Sequence, residues 1–279
     1  KNVLGFNSIM PGRLGSFTGE ESVIGHFFLG FSLIFLTFIY HKSQNFFLNI
    51  GLAFTLIIIS FIIGERANFI KTFIAILLFV LFVYKINFKI KFLSVVLSSI
   101  LVCLVYLNTD SDYKWRYFNQ IELLFKKDGL TKYLDNSQYG AHRNVAKEIF
   151  LDNPIFGAGI KNFRVESAKK IYKDLKHKKN HLRVSNHPHE LYYEFLSETG
   201  IFGLTCFLIF ILSSIALSIK SYLSHKNIYQ FSGIVIVSLS ILPIIPAGAF
   251  LSTYNSSIFW INYAIMIGYY NTKNLNKKF

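Results

Sequence analysis

Residues Asn186–Leu204 read N-H-P-H-E-L-Y-Y-E-F-L-S-E-T-G-I-F-G-L. Two histidines, His187 and His189, close a long polar segment, and the chain then runs apolar from about 200 to 219. A helical bilayer crossing needs ~20 predominantly apolar residues. Ionisable groups at a membrane boundary are costly to place and are functional by default. An imidazole exchanges a proton near neutral pH. The stretch reads as the entry to a membrane span with proton chemistry at its mouth.

Six more apolar runs lie outward from it, at about 22–40, 45–63, 69–84, 92–107, 230–248 and 256–270. The chain is 52% hydrophobic, with a mean hydropathy of +0.41, above the apolar share of soluble domains. The runs lack the period-2 alternation of outer-membrane strands, so helices follow. The expectation is an all-α integral membrane protein: a polytopic helical bundle of about seven spans with one large extramembrane loop containing short helices.

A net charge of +14 raises nucleic acid as a partner, but its distribution argues for a membrane. Much of it sits in His41-Lys42, Lys85–Lys91, Lys220–Lys226 and the tail Lys273–Lys278. These four connectors share one side if seven spans alternate, and the positive-inside rule makes that side cytoplasmic. The long loop then faces the periplasm. Its lysines suit a solvated face or attraction of an anionic lipid-linked substrate. The expected organisation is 1–107, a periplasmic N-terminal segment and four spans; 108–199, the periplasmic loop; and 200–279, three spans and a basic cytoplasmic tail. Cys103 and Cys206 fall inside predicted spans, where a buried, unpaired, apolar role is expected. No cleavable signal-peptide pattern precedes the first span, so the spans themselves direct insertion.

Within the loop, amphipathic helices are expected at about 113–127, 141–151 and 162–176, broken at Asp128-Gly129 and Asn153-Pro154. The second offers Val145, Ile149 and Phe150 as an apolar face. In the opening stretch, Pro188 suits a first helical turn capped by His187 or Asn186, with Glu190 near N3 as in a capping box. His189 then lies in the first turn, where the helix dipole favours neutral imidazole, a competent base for a hydroxyl. The same residues also suit an interfacial helix start facing water. Arg66, in a tight turn between two nearly charge-free spans, suits either lipid phosphates or a bidentate substrate phosphate. Glu65 beside it suits a lysine partner. Arg143 precedes the turn Asn153–Gly159, whose Gly157 and Gly159 offer open backbone N–H groups for an anion nest, or an ordinary turn. Arg13 is a phosphate contact or a surface charge. His142, His177 and His181 read as solvated loop residues, and His26 as a bundle residue without an assigned role.

The succession G-E-R (Arg66), R-x6-F-L-D-N-P-I-F-G-A-G (Arg143 to Gly159) and H-P-H-E-L-Y-Y-E-F-L-S-E-T-G-I-F-G-L (His187 to Leu204) resembles the O-antigen ligase and O-antigen polymerase family. The segment G-R-L-G-S-F-T-G-E-E, which contains Arg13, resembles the family's approach to a span. The resemblance covers nearly all of the chain. It implies a GT-C-like bundle in the bacterial inner membrane with a periplasmic active face, and a metal-independent, inverting glycosyltransferase without a cofactor. The implied donor is a glycan on undecaprenyl diphosphate. The implied acceptor is a lipid A–core sugar for a ligase, or another lipid-linked repeat unit for a polymerase. It further implies that Arg66 and Arg143 act on the diphosphate and that His189 is the base; His187, Glu190, Arg13, Gly157 and Gly159 are the expected substrate-binding residues beside them. The family commonly has Asn after that histidine, where this chain has Glu190, so assignment between His187 and His189 stays open. The first residue is Lys, and the family's further N-terminal spans are not among the seven, so earlier helices are expected to precede this stretch. Membrane lipids are expected partners and nucleic acid is not. Two readings from other classes are a transporter with His and Arg along its pathway and a non-catalytic scaffold of polysaccharide assembly.

Overall fold

The computed structural model describes residues 12–14, 23–85, 87–108, 111–114, 117, 122, 126–243 and 245–268. Every regular element among them is helical. The α-helices are α1 (Ile24–Lys42), α2 (Phe46–Ile63), α3 (Arg66–Phe82), α4 (Phe88–Leu107), the single turn α5 (Ser111–Lys114), α6 (Gly129–Asn136), α7 (Gln138–Asp152), α8 (Phe163–Glu166), α9 (Leu191–His225), α10 (Ile228–Ser240) and α11 (Thr253–Gly268). Two 3-10 turns add Lys170–Tyr172 and Asn180–Leu182. Helices α1, α2, α4 and α9 are long and apolar enough to cross a membrane. Helices α3, α10 and α11 are apolar and shorter, at 17, 13 and 16 residues. The chain is a polytopic helical membrane protein. It divides into two compact units, one of Lys1–Tyr117, Ile215–Ser240 and Ile258–Phe279, the other of Phe118–Ser214 and Ile241–Ser257.

In the first unit α1 buries Leu29, Leu33, Leu36 and Tyr40 on one face and exposes Phe31, Phe35 and Phe38 on the other. A helix apolar all round, with large aromatic side chains on its outer face, suits hydrocarbon rather than water. Polar side chains within the spans bond to the preceding turn, as Thr37 Oγ1 does to Leu33 O (2.7 Å) and Ser98 Oγ to Ser94 O (2.8 Å). Those hydroxyls are thereby satisfied in an apolar medium. Asn262 on α11 reaches across to Gly30 O at 3.2 Å. Gly30 has no Cβ to hold α11 off: one would lie 2.2 Å from Ile258 Cγ2, the small-residue device of packed membrane helices.

The second unit centres on α7, which buries Val145, Ala146 and Ile149 against Phe163 and Tyr172. Val145 and Ile149 lie on the face expected for them; Phe150 is only half-buried, and Ala146 takes the inner position. Helix α9 is interrupted at Gly200, whose φ is 67°. Left straight, its 35 residues would span ~52 Å, far beyond the ~30 Å hydrocarbon core. The break separates a short extramembrane piece from the span. N–H groups freed there are recovered by the 153–163 loop, Ile201 N donating to Pro154 O (2.9 Å) and Phe202 N to Ile155 O (3.2 Å).

Several expectations shift. Helix α10 stops at Ser240 instead of continuing to 248, because Pro243 and Pro246 have no N–H for the helical ladder. The following segment folds back beside the start of α9. The expected helix at 162–176 resolves into α8 and a 3-10 turn, and Gly129, expected as a break, opens α6. Cys103 and Cys206 are free as expected, but exposed on their helices rather than buried. The expected helix at 113–127 lies mostly outside the described residues, as do residues 1–11 and 15–22 and the basic tail.

Gly200→Ala should destabilise the protein by more than ~1 kcal/mol, from left-handed strain together with a Cβ placed 2.3 Å from Ile155 O. Thermal unfolding in detergent measures this, and an unchanged midpoint would contradict the close approach.

Candidate active site

The candidate residues divide between the two units. In the first, Leu14 N donates to Ile63 O at 3.1 Å. Gly64 takes φ 80° beneath that contact, where a Cβ would meet Gly12 O at 2.0 Å and Arg13 Cα at 3.1 Å. The turn therefore brings Arg13 up to Glu65 and Arg66, two positions read separately in the sequence. Glu65 is 6% exposed. Its Oε1 accepts Gly25 N (2.9 Å) and its Oε2 accepts Asn68 Nδ2 (2.6 Å). A carboxylate is thus held at the N-terminus of α1, where the helix dipole favours it. Arg66, half-buried, opens α3. Lys71, five residues on and 4% exposed, went unremarked in the sequence, although a charge inside an apolar run is itself a signal.

In the second unit α9 starts at Leu191, three residues later than expected. His189 adopts φ 59° and its carbonyl accepts Ala247 N at 2.9 Å, so it lies outside the first turn. Glu190 is the cap itself, its Oε2 accepting Tyr193 N at 2.9 Å. A left-handed residue other than glycine costs ~1–3 kcal/mol and persists where its surroundings over-determine it. Here the surroundings are aromatic. The His189 ring lies 3.9 Å from that of His187, 5.1 Å and nearly parallel from that of His142, and 5.3 Å edge-on from that of Tyr139. Ser185 Oγ is 3.5 Å from His189 Nε2.

Tyr139, His142 and Arg143 occupy one face of α7, whose first turn Ser137 caps through Gly140 N (3.1 Å). The Arg143 guanidinium sits 4.8 Å over the Tyr193 ring, so arginine and histidine cluster meet at the first turn of α9. His142 is no solvated loop residue: it is 5% exposed and its Nε2 bonds Leu182 O at 2.8 Å. Burial lowers its pKa, and the Leu182 carbonyl opposes this. His187 is pushed down to about 4, chiefly by burial, with the Ala247 backbone bond opposing and His142 adding. His177 Nε2 bonds Leu134 O (3.0 Å), and His181 is exposed as expected. Among the described residues no group of three or more His, Cys, Asp or Glu is placed to hold a metal ion.

The N–H groups of the turn read as an anion nest are taken up by backbone carbonyls of its own chain. Gly157 N donates to Asn153 O, Ala158 N to Ser197 O and Gly159 N to Glu198 O. The Glu198 carboxylate accepts Lys161 N (2.6 Å) and Phe163 N (3.3 Å). Four residues back, Glu194, 2% exposed, accepts Phe250 N (2.8 Å) and Leu251 N (2.9 Å). The sequence carried the signal in E-x3-E-x3-E, three carboxylates on one face of a helix entering a membrane.

The O-antigen ligase family profile matches residues 51–208, more than half of the chain. The chain belongs to the O-antigen ligase family. Its ligases and polymerases are glycosyltransferase-like membrane enzymes that use lipid-linked glycans. The matched stretch holds Arg66, Arg143, Gly157, Gly159, His187, His189 and Glu190 of this O-antigen ligase family member, and leaves Arg13 outside. A search of curated proteins finds no match to it.

The depressed His187 pKa fixes a pH trend. Between pH 6.5 and about 4 the unfolded chain binds a proton at this position that the folded chain does not. Stability from this group is therefore full above pH 6.5 and is lost as pH falls toward 4. Thermal unfolding of the detergent-solubilised protein should show this decline, and His187→Gln should flatten it; an identical slope in the variant would remove the assignment.

Proposed function

We propose that the chain is an O-antigen ligase-like glycosyltransferase that moves a glycan from undecaprenyl diphosphate to a sugar hydroxyl, as on lipid A–core, at the periplasmic face of the inner membrane. The observation that carries this reading is the histidine cluster joined to Arg143 at the mouth of α9. In this reading His189 takes the proton of the acceptor hydroxyl. The oxygen attacks the anomeric carbon, the bond from that carbon to the diphosphate oxygen breaks, and the configuration inverts. The leaving diphosphate gathers charge that arginine neutralises best, through its planar fork. Arg143 has that role by position beside the cluster, and Arg66 by its place in the family motif. Glu190 contributes as the cap that fixes where α9 begins, and Gly157 and Gly159 as the turn packed on Ser197 and Glu198. Arg13 assists from beside Arg66. No metal or cofactor is required, since the diphosphate leaves readily once neutralised. A polymerase differs only in its acceptor, a second lipid-linked repeat unit.

Glycan transfer from a lipid-diphosphate donor by membranes at matched expression tests the roles. His189→Ala should lose ~10²–10⁴ in rate, and Arg66→Ala and Arg143→Ala most of their turnover, with Lys a poor substitute. Full activity in His189→Ala refutes the base. Loss in His187→Ala alone moves the base two residues back. Normal rates in both arginine variants refute the phosphate role, and activity abolished by chelator and restored by a divalent ion refutes metal independence.

The charge asymmetry of the short connectors supports a periplasmic loop. A cysteine placed at Ser137 should react with an impermeant thiol reagent applied outside intact cells, and one at Asn274 should not. Labelling at Asn274 from outside overturns the orientation.

A further inference from the structure

His142 has one ring nitrogen engaged and one idle. Leu182 O lies 2.8 Å from Nε2, and a carbonyl oxygen only accepts, so Nε2 carries the proton and Nδ1 presents a lone pair. Burial favours this neutral form. The side chain is 5% exposed, and Nδ1 has no hydrogen-bond partner among the described residues. His187 repeats the pattern: its ring bonds the Ala247 backbone, and its buried Nε2 has no partner among the described residues. Two neutral imidazoles with unused lone pairs thus flank His189, with ring centroids 5.1 Å and 3.9 Å from its own. Buried acceptors without a donor are destabilising and rare, and two around one residue mark a place prepared for a donor. A phosphate oxygen carries no proton to give at neutral pH and repels a lone pair. A hydroxyl supplies what both nitrogens lack.

Resting on the glycosyl-transfer reading above, we infer that His142 Nδ1 accepts a hydrogen bond from a second hydroxyl of the acceptor sugar, holding that sugar while His189 takes the proton of the attacking hydroxyl. His142 adjoins Arg143 on α7, so in this reading one helix face serves the acceptor through His142 and the donor diphosphate through Arg143. His142 is then a substrate-binding residue by virtue of its tautomer, since the other tautomer would present an N–H at Nδ1 and turn a lone pair toward Leu182 O.

Two substitutions separate binding from structure. His142→Gln places an amide where Nε2 was and keeps a donor for Leu182 O, but removes the acceptor at Nδ1. His142→Asn places an amide oxygen near Nδ1 and gives up the Leu182 bond. In transfer assays His142→Gln should raise the acceptor KM ~10-fold, the loss of one hydrogen bond to a bound substrate, with the donor KM within about twofold. His142→Asn should restore most of the acceptor KM while unfolding at lower temperature. A wild-type acceptor KM in His142→Gln, or a worse KM in His142→Asn than in His142→Gln, overturns the inference, because a purely structural histidine gives that order. Binding of a core oligosaccharide to detergent-solubilised protein provides the readout independent of turnover. If the wild type transfers no glycan, the proposed function falls. Weaker oligosaccharide binding by His142→Gln then still sustains the hydroxyl site, and equal binding, or none by the wild type, overturns it.

Discussion

The second unit depends on carboxylates answered by backbone N–H groups. Glu190, Glu194 and Glu198 follow one another at four-residue spacing across the start of α9, and each holds a different piece of chain. Glu190 closes the helix's own first turn, Glu194 holds Phe250 and Leu251, and Glu198 holds Lys161 and Phe163. A buried carboxylate without donors is prohibitively expensive, whereas one with two N–H partners is tolerated. Glu194 and Glu198 therefore determine which segments can lie against α9. The 241–252 return and the 153–163 loop are held by the same helix for the same reason.

The histidine cluster follows from that arrangement. With Phe250 and Leu251 held by Glu194, and Tyr192 Oη donating to Ile241 O at 2.8 Å, the return passes Ala247 beneath His189. The Ala247 N–H takes the His189 carbonyl, which stops the helix from starting earlier and turns the backbone left-handed. The ring is thereby delivered onto the α7 face that carries Tyr139, His142 and Arg143. Pro243 and Pro246, which end α10 early, are what make the return available. A proline pair just past α10 and a glutamate ahead of the Gly200 break together set the orientation of one imidazole.

Hydrocarbon imposes the second constraint. Apolar side chains face outward along α1, α4 and α9, and the hydroxyls of Thr37, Ser94 and Ser98 bond to their own helices. Polar groups also cross between helices where small residues let them approach, as Asn262 does to Gly30 O and Gln230 to Met266 O (3.2 Å). The same economy governs Glu65, buried because the N-terminus of α1 supplies its donors.

The sequence by itself determined the helices and their class, because apolar runs of bilayer length and an apolar face at Val145 and Ile149 are local patterns that any helix must honour. It also carries the family's motifs, which name the candidate residues. Only the tertiary structure decided where α9 begins, that His142 is buried against His189, that Gly157 and Gly159 donate to their own chain, and that Arg13 stands beside the Glu65-Arg66 turn. Each of those rests on a partner distant in sequence: Ala247 for His189, Leu182 for His142, Glu198 for the glycine turn and Ile63 for Leu14. A buried polar group takes whichever donor or acceptor the fold brings to it, and that choice is made in space rather than along the chain.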